Sequence, residues 1–362
     1  MKGSAFPLVP FLQAVSDCTG GNAKVQRKEY ATEGELPVID QGQEFIAGFT
    51  GTGNQYQGKL PLVLFGDHTR IFKYVDFPFA LGADGVKALQ PQSGFDAKFL
   101  FYYFRFIALP NAGYSRHFKF LKEIQVPKPS LAEQRRIVDL LSRAEGIVRL
   151  RREAQKKAAE LIPALFLEMF GDPATNPKGW PVAPLGDHVE IASTVRTPDL
   201  DQDADQPCIG ADSIESHTGK LISLPTVRDM QPKSGKYWFD FGDVLYSKIR
   251  PYLAKASLAP RGGYCSADMY PLRCKSSLQA EFLLGLLLSK AFTDYATAES
   301  VRAQMPKLNR ETLFAYQFPV PPIEIQEQFN ERATTVRPIQ SLQSDAAAKA
   351  EATFDALLAQ VF

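Results

Sequence analysis

Apolar positions recur at helical spacing in two long stretches, residues 134–170 and 326–362, and the two stretches are copies of one another. They align without a gap at an offset of 192, with nine identities in 37 positions: Gln134/Gln326, Ile147/Ile339, Leu150/Leu342, Ala154/Ala346, Lys157/Lys349, Ala158/Ala350, Ala164/Ala356, Leu165/Leu357 and Phe170/Phe362. Ordinary composition gives about two or three such matches by chance. In the first copy Ile147, Leu150, Ala154, Ala158, Leu161 and Leu165 fall at intervals of three or four, and in the second Ile339, Leu342, Ala346, Ala350, Thr353 and Leu357 follow the same stripe. Such a stripe, with small residues at its middle, predicts a seam along which two helices approach closely. A helix of that length measures about 60 Å.

Helix starts are marked. Pro127 and Pro129 precede Ser130-Leu131-Ala132-Glu133, a capping-box pattern, and Pro319, Pro321 and Pro322 precede Ile323-Glu324-Ile325-Gln326. The Glu shifts position in the second copy. Gly146 and Pro338 occupy the same place in the two copies, so a short helix, a kink and a longer helix are expected in each. Pro163 predicts a bend near the end of the first.

The duplication extends upstream. Phe6-Pro7-Leu8-Val9-Pro10-Phe11 matches Trp180-Pro181-Val182-Ala183-Pro184-Leu185. Pro37-Val38-Ile39 matches Pro207-Cys208-Ile209, and Phe65-Gly66-Asp67 matches Phe241-Gly242-Asp243. Val126-Pro127-Lys128-Pro129 matches Phe318-Pro319-Val320-Pro321. Each half therefore reads as a divergent head followed by a helix. The expected division is 1–129 as a first head, 130–172 as its helix, 173–321 as a second head and 322–362 as the second helix. Gly171-Asp172-Pro173 reads as a helix exit and Asn176-Pro177-Lys178-Gly179 as a linker.

Composition adds bounds. The 362 residues are 45% hydrophobic and 22% charged, ordinary for globular domains. Four cysteines (Cys18, Cys208, Cys265, Cys274) lack metal or framework spacing, and no run of 18 apolar residues occurs, so a cytoplasmic, membrane-free protein is expected. Net charge is only +1, but residues 105–157 carry thirteen Lys/Arg against five Asp/Glu, whereas 324–362 carry three against six. The helices differ in charge although they agree in pattern.

No catalytic constellation is found and no metal-ligand set is expected: the four histidines have no ligand spacing. Gly53-Asn54-Gln55-Tyr56-Gln57-Gly58-Lys59 has the spacing of a phosphate loop, but Leu60 replaces the required hydroxyl residue and a strand is expected next. Phe99–Phe106 reads as a core helix rather than a base-stacking platform.

Residues suited to reading DNA cluster before the helices. Tyr114, Arg116, His117 and Lys119 occupy a polar loop in the first head, with Arg302, Gln304, Lys307, Asn309 and Arg310 as the counterpart in the second. A second set follows each Gly-Asp pair: Arg70, Lys73 and Tyr74, then Lys248, Arg250, Tyr252 and Lys255. Gln41, Gln43, Asn54 and Gln55 are further base-reading candidates.

Gly113-Tyr114-Ser115-Arg116-His117-Phe118-Lys119, Leu121-Lys122-Glu123-Ile124, the proline step and Glu133-Gln134-Arg135-Arg136-Ile137 resemble the specificity (S) subunit of type I restriction–modification systems. So do Phe65-Gly66-Asp67-His68-Thr69-Arg70, and Gly242-Asp243-Val244-Leu245 ahead of Arg250-Pro251-Tyr252-Leu253. The resemblance implies two α/β (α+β) target-recognition domains, each followed by a long helix. The two helices would pair as an antiparallel coiled coil with pseudo-twofold symmetry. It implies a non-catalytic subunit bound to double-stranded DNA, each head reading one half of a bipartite asymmetric site. The helices would set the spacer and dock two methyltransferase subunits, joined by restriction subunits in the full complex. This chain would bind no cofactor, S-adenosylmethionine belonging to the methyltransferase. The alternative is a protein-assembly scaffold with two equivalent docking faces and no DNA reading of its own.

Overall fold

The computed structural model describes residues 6–83, 85–111, 113, 115–300 and 306–362. The chain forms two compact units, one made of residues up to Arg152 together with Ala346–Phe362, the other of Glu153–Asp345. Each unit holds one head, the first part of its own long helix and the last part of the other.

In head one a four-stranded antiparallel sheet runs in the order Val15–Asp17, Val86–Pro91, Leu62–Gly66, Phe72–Val75. Its central strand is buried throughout, which a strand achieves only with a covering layer on each face. Alternation assigns the faces. Val63 and Phe65 join the helix-side core with Phe99, Leu100, Tyr102 and Phe104 of the helix Ala97–Phe106. Leu62 and Leu64 join Ile39, Tyr56, Phe79 and Leu81 beneath a second, smaller sheet. Head two repeats this plan in the order Val189–Ile191, Met269–Cys274, Val244–Ser247, Ala256–Leu258. There Val244 and Tyr246 face the helix Ala280–Leu288, and Leu245 faces the small sheet with Ile209 and Cys265. The aromatic run is thus a core helix, and a strand follows the false phosphate loop.

Ladder register corrects one match made from sequence. Gly66 lies opposite Val86 and Ser247 opposite Met269, each at the start of the neighbouring strand, so Asp67 corresponds to Lys248. Asp243 instead precedes its strand and closes a turn with Arg273, whose guanidinium meets it at 2.8 Å. Three shared letters at opposite ends of a strand gave the false match.

Two-stranded ribbons close the heads: Leu8–Pro10 with Gln125–Pro127, and Val182–Pro184 with Gln317–Pro319. The chain then enters its long helix at a fully buried glutamine. Gln134 Oε1 accepts the Asp96 amide at 2.8 Å, and Nε2 donates to the Gly94 and Pro129 carbonyls at 2.9 and 3.0 Å. Gln326 repeats the clamp, accepting from Gln279 at 2.9 Å and donating to Ser277 and Pro321 at 3.3 and 2.8 Å. This explains the glutamine identity. Of the capping box at Ser130 only one half forms: Ser130 Oγ accepts the Glu133 amide, while the Glu133 carboxylate turns to Arg136.

The helices span Leu131–Phe170 and Ile323–Val361 without interruption. The expected break at Gly146 and Pro338 does not occur, and the first helix continues through Pro163. Pro163 and Pro338 are both exposed, so the carbonyls they leave without a helical partner lie on the solvent side. Packing along the whole length outweighs the local cost.

The seam is also displaced from the expected one. The buried row in the first helix is Gln134, Ile137, Leu141, Val148 and Ala158, and in the second Gln326, Phe329, Ala333, Ala347 and Phe354. Ala158, Ala350, Leu165 and Leu357 belong to it, with Ala154 and Ala346 on its flank. Ile147, Leu150, Leu161, Ile339 and Leu342 do not; they are between 44% and 66% exposed. The buried row follows heptad-like spacing from the clamped glutamine onward, whereas Ile147, Leu150, Ala154 and Lys157 with their counterparts follow a row rotated by one residue, about 100°. The identical pairs are thus divided between two faces: Gln134, Ala158, Leu165 and Phe170 lie on the buried side, and Ile147 and Leu150 on the exposed one.

Within each unit the helix segments run antiparallel. In unit two Gln155 donates to Ser344 at 3.2 Å and Gln340 to the Ala158 carbonyl at 2.9 Å, while Phe166 and Phe170 pack on Phe329 and Phe282. In unit one Arg152 meets Glu351 at 2.6 Å, Phe354 and Leu358 join the head-one core, and the Phe362 ring lies 5.5 Å from Phe99. Each long helix therefore finishes in the core of the head that it did not leave.

Candidate nucleic-acid interface

In head one the central strand ends in a tight turn and returns as Phe72–Val75, with Phe65 opposite Phe72. Arg70 occupies this turn with φ 63°, a left-handed conformation that costs a non-glycine residue free energy. A second segment, the loop ahead of the long helix, is fastened to it. The buried Asp67 is the fastening: its carbonyl accepts the His117 amide at 2.9 Å and its Oδ1 the Phe118 amide at 2.7 Å. Arg70 Nη1 reaches the Leu109 carbonyl of the same loop at 3.5 Å. The turn and the loop that carry the described residues of both sets are thus joined at one edge of the head.

The residues there divide into two kinds. Arg116 and Lys119 are exposed and Arg70 is half-buried, so their charges face solvent. His117 is wholly buried, its Nδ1 3.0 Å from the Asp67 carbonyl. Lys73 is also buried, and its ammonium is spent within the fold, donating to the Asp40 and Glu44 carbonyls at 2.8 and 2.5 Å. Desolvation holds Lys73 below the usual lysine range, partly offset by Asp40 and Glu44. Tyr74 is half-buried near Phe101, and burial raises its phenol. Tyr114 lies outside the described residues. The sequence reading missed Lys87 and Lys122, whose ammonium groups both stand 4.9 Å from the Phe118 ring, Lys87 also paired with Asp17 at 2.9 Å. Only the fold brings them together.

Head two joins the same two segments by the same backbone bond and a different second tie. The Leu308 amide donates to the Lys248 carbonyl at 2.8 Å, as the His117 amide does to Asp67, and the Arg250 backbone amide donates to the Pro306 carbonyl at 2.9 Å. The turn is longer, carrying a 3-10 turn Pro251–Leu253 between left-handed Arg250 (φ 48°) and Ala254 (φ 41°). Arg250, Tyr252, Lys307, Asn309 and Arg310 are exposed. Asn309 caps the helix Arg310–Ala315 by accepting the Thr312 amide, and Arg310 stacks on Phe314. Lys248 is buried against the Tyr270 ring at 4.8 Å, its ammonium held below the usual range by burial and by Lys307. Lys255 donates to the Ala211 carbonyl at 2.8 Å. Arg302 and Gln304 lie outside the described residues.

Each head thus presents an arginine, Arg70 or Arg250, on a braced, strained turn beside a second basic loop. Guanidinium and ammonium groups so placed can pair with phosphates or with guanine edges. A different surface is carried by the helices. The rotated row that the two copies share, Ile147, Leu150, Ala154 and Lys157 in one and Ile339, Leu342, Ala346 and Lys349 in the other, faces outward. Repeated exposed aliphatics at matched positions have the character of docking faces.

Comparisons with known proteins agree with this architecture. The family model for the type I restriction modification DNA specificity domain matches twice, over residues 12–160 and 177–336. The chain is 35% identical over 159 residues to the EcoDI type I restriction enzyme specificity subunit of Escherichia coli, a match covering 43% of this chain and 34% of that protein. The matched region thus spans about a third of that curated relative. In fold, the chain resembles the type I restriction–modification S subunit from M. genitalium, with a TM-score of 0.60 at 13% identity over 100% of this chain and 97% of that one. A second solved structure, from work on complex assembly and conformational transition of the type I R-M system, gives 0.51 at 18% identity over 98% and 97%. With two tandem matches covering most of its length, the chain belongs to the type I restriction modification DNA specificity domain family.

Proposed function

We propose that this chain is the DNA sequence-recognition subunit of a type I restriction–modification enzyme, acting in the cytoplasm. Each head reads one half of a bipartite, asymmetric site in double-stranded DNA. The observation that carries this reading is the repeated junction of turn and loop, built at the same place in both heads from different residues. A shared scaffold with unlike exposed side chains suits two readers of unlike sequences.

The long helices set the unread spacer, and their matched outward rows dock two methyltransferase subunits. Identical rows in the two copies favour two copies of one partner. Restriction subunits complete the assembly. The chain contributes positioning and no turnover; S-adenosylmethionine is held by the methyltransferase, which reaches its target base by flipping it from the duplex. Binding falls steeply with salt because cations neutralise phosphates.

Methylome sequencing of cells with and without the chain tests the reading: one bipartite methylated motif should vanish with it. Arg116→Ala should alter methylation at a single half-site. Equal loss at both half-sites, or no change at either, contradicts the assignment of heads to half-sites.

A further inference from the structure

We propose that the excursion 40–46 of head one is a third DNA-facing segment, and that Lys73 is the residue that positions it. The inference rests on the function proposed above.

The excursion leaves the small-sheet strand Leu36–Ile39 and is bound to the candidate turn at several points. Thr69 Oγ1 donates to the Gln41 carbonyl at 2.6 Å, and the His68 amide to Gln41 Oε1 at 3.1 Å. Lys73 Nζ, reaching in from the strand after the turn, holds both ends by donating to the Asp40 and Glu44 carbonyls. A lysine that gives up its hydration to hold two backbone carbonyls is costly, and with an opposing carboxylate only at 4.0 Å the gain lies in fixing the segment. Beyond these ties the tip is open: Gln43, Phe45 and Ile46 are exposed, Phe45 at 43% and Ile46 at 40%. A braced loop carrying an amide and two exposed apolar side chains, Phe45 steadied by the Phe77 ring at 6.1 Å, has the groups that read an A·T pair. The Gln43 amide can pair with adenine N6 and N7, and Phe45 or Ile46 can meet the thymine methyl.

Head two fastens the corresponding excursion to its turn with a lysine again, but from a different position and with other companions. It follows Cys208–Ile209 and is held where Lys255 donates to the Ala211 carbonyl at 2.8 Å and Ser257 Oγ to Gly219 at 2.9 Å. The His217 amide donates to the Ala254 carbonyl at 3.2 Å. A lysine-to-carbonyl tie made in both heads, from different strand positions and with different companions, argues that the position of the excursion is what matters.

The test uses the chain in complex with its methyltransferase on duplexes varied one base pair at a time. Native complex should discriminate by about tenfold or more at A·T pairs of the head-one half-site. Lys73→Met, which keeps the buried stem, should cut that discrimination to about threefold or less while the head-two half-site stays strict, and Lys73→Arg should restore part of it. Gln43→Ala, at the exposed tip, should relax the same pairs without changing stability, and it decides the matter if Lys73→Met does not fold. Unchanged discrimination in Gln43→Ala, or stringency falling equally at both half-sites in Lys73→Met, overturns the proposal. A native complex that methylates no bipartite site fails earlier, and sinks the function rather than this inference.

Discussion

The two heads share a backbone plan and almost none of the side chains that hold it. Main-sheet order and the alternation of the central strand are the same in both, as is the hydrogen bond from the pre-helix loop to the post-strand turn. The fastenings differ: a buried aspartate and lysine in head one, a longer turn with a 3-10 segment in head two. At helix position 145/337 the chemistry is even reversed. Glu145 receives Arg105 and the Tyr102 hydroxyl, whereas Arg337 grips Glu281. The position of the turn is common to both heads, and two different sets of residues hold it there.

The reversed charge gives the strongest way to break the comparison. Arg337→Glu would set a second carboxylate against Glu281, whose side chain is only 6% exposed, and should cost about 3 kcal/mol in urea unfolding. The matching change in head one, Glu145→Arg, should cost about 1 kcal/mol or less, because Arg105 and Glu145 are 37% and 38% exposed. Adding Glu281→Arg to Arg337→Glu should recover most of the loss. Equal costs in the two heads would show that burial does not govern these pairs.

The shared glutamine sharpens the opposite side of the comparison. Gln134→Leu or Gln326→Leu strands one amide and two carbonyls, so each should destabilise by about 2–3 kcal/mol, and by the same amount in either head. Unequal losses would mean that the clamps are alike only in geometry. Smaller again, Leu150→Ser and Leu342→Ser should each leave the isolated chain within about 0.5 kcal/mol of native, since both side chains are exposed. Each should weaken methyltransferase binding by about 1–2 kcal/mol in calorimetric titration. A drop in the stability of the isolated chain would place these leucines in a buried seam after all.

Much of this was legible from sequence where one force dominates. The helices, the core helix at Phe99–Phe106 and the strand at Leu62–Gly66 follow from apolar periodicity, and in each head the turn after the central strand is tied to the loop before the long helix. The errors arose where tertiary packing decides between near-equal options. Pro338 breaks a helix only if its neighbours cannot hold it. Ile147 and Val148 are adjacent aliphatics, and only the partner helix selects which is buried. Lys73 looks like a surface cation until the strand turns it inward toward Asp40 and Glu44. Phe-Gly-Asp occurs twice, but its register is set by strand pairing that no local pattern records.

The exchange of helix ends between heads bears on synthesis. The core of head one is finished by Phe354 and Leu358, and Arg152 waits for Glu351, 199 residues further along the chain. Head one therefore emerges from the ribosome well before the residues that complete it, and its helix-side apolar surface stays open throughout translation of head two. Loop closure over that span costs little once the partner arrives, since the penalty grows only with the logarithm of length. Completion of the first head's core is thus timed by the making of the second head, so a ribosome that stalls within head two releases a first head whose core lacks Phe354 and Leu358.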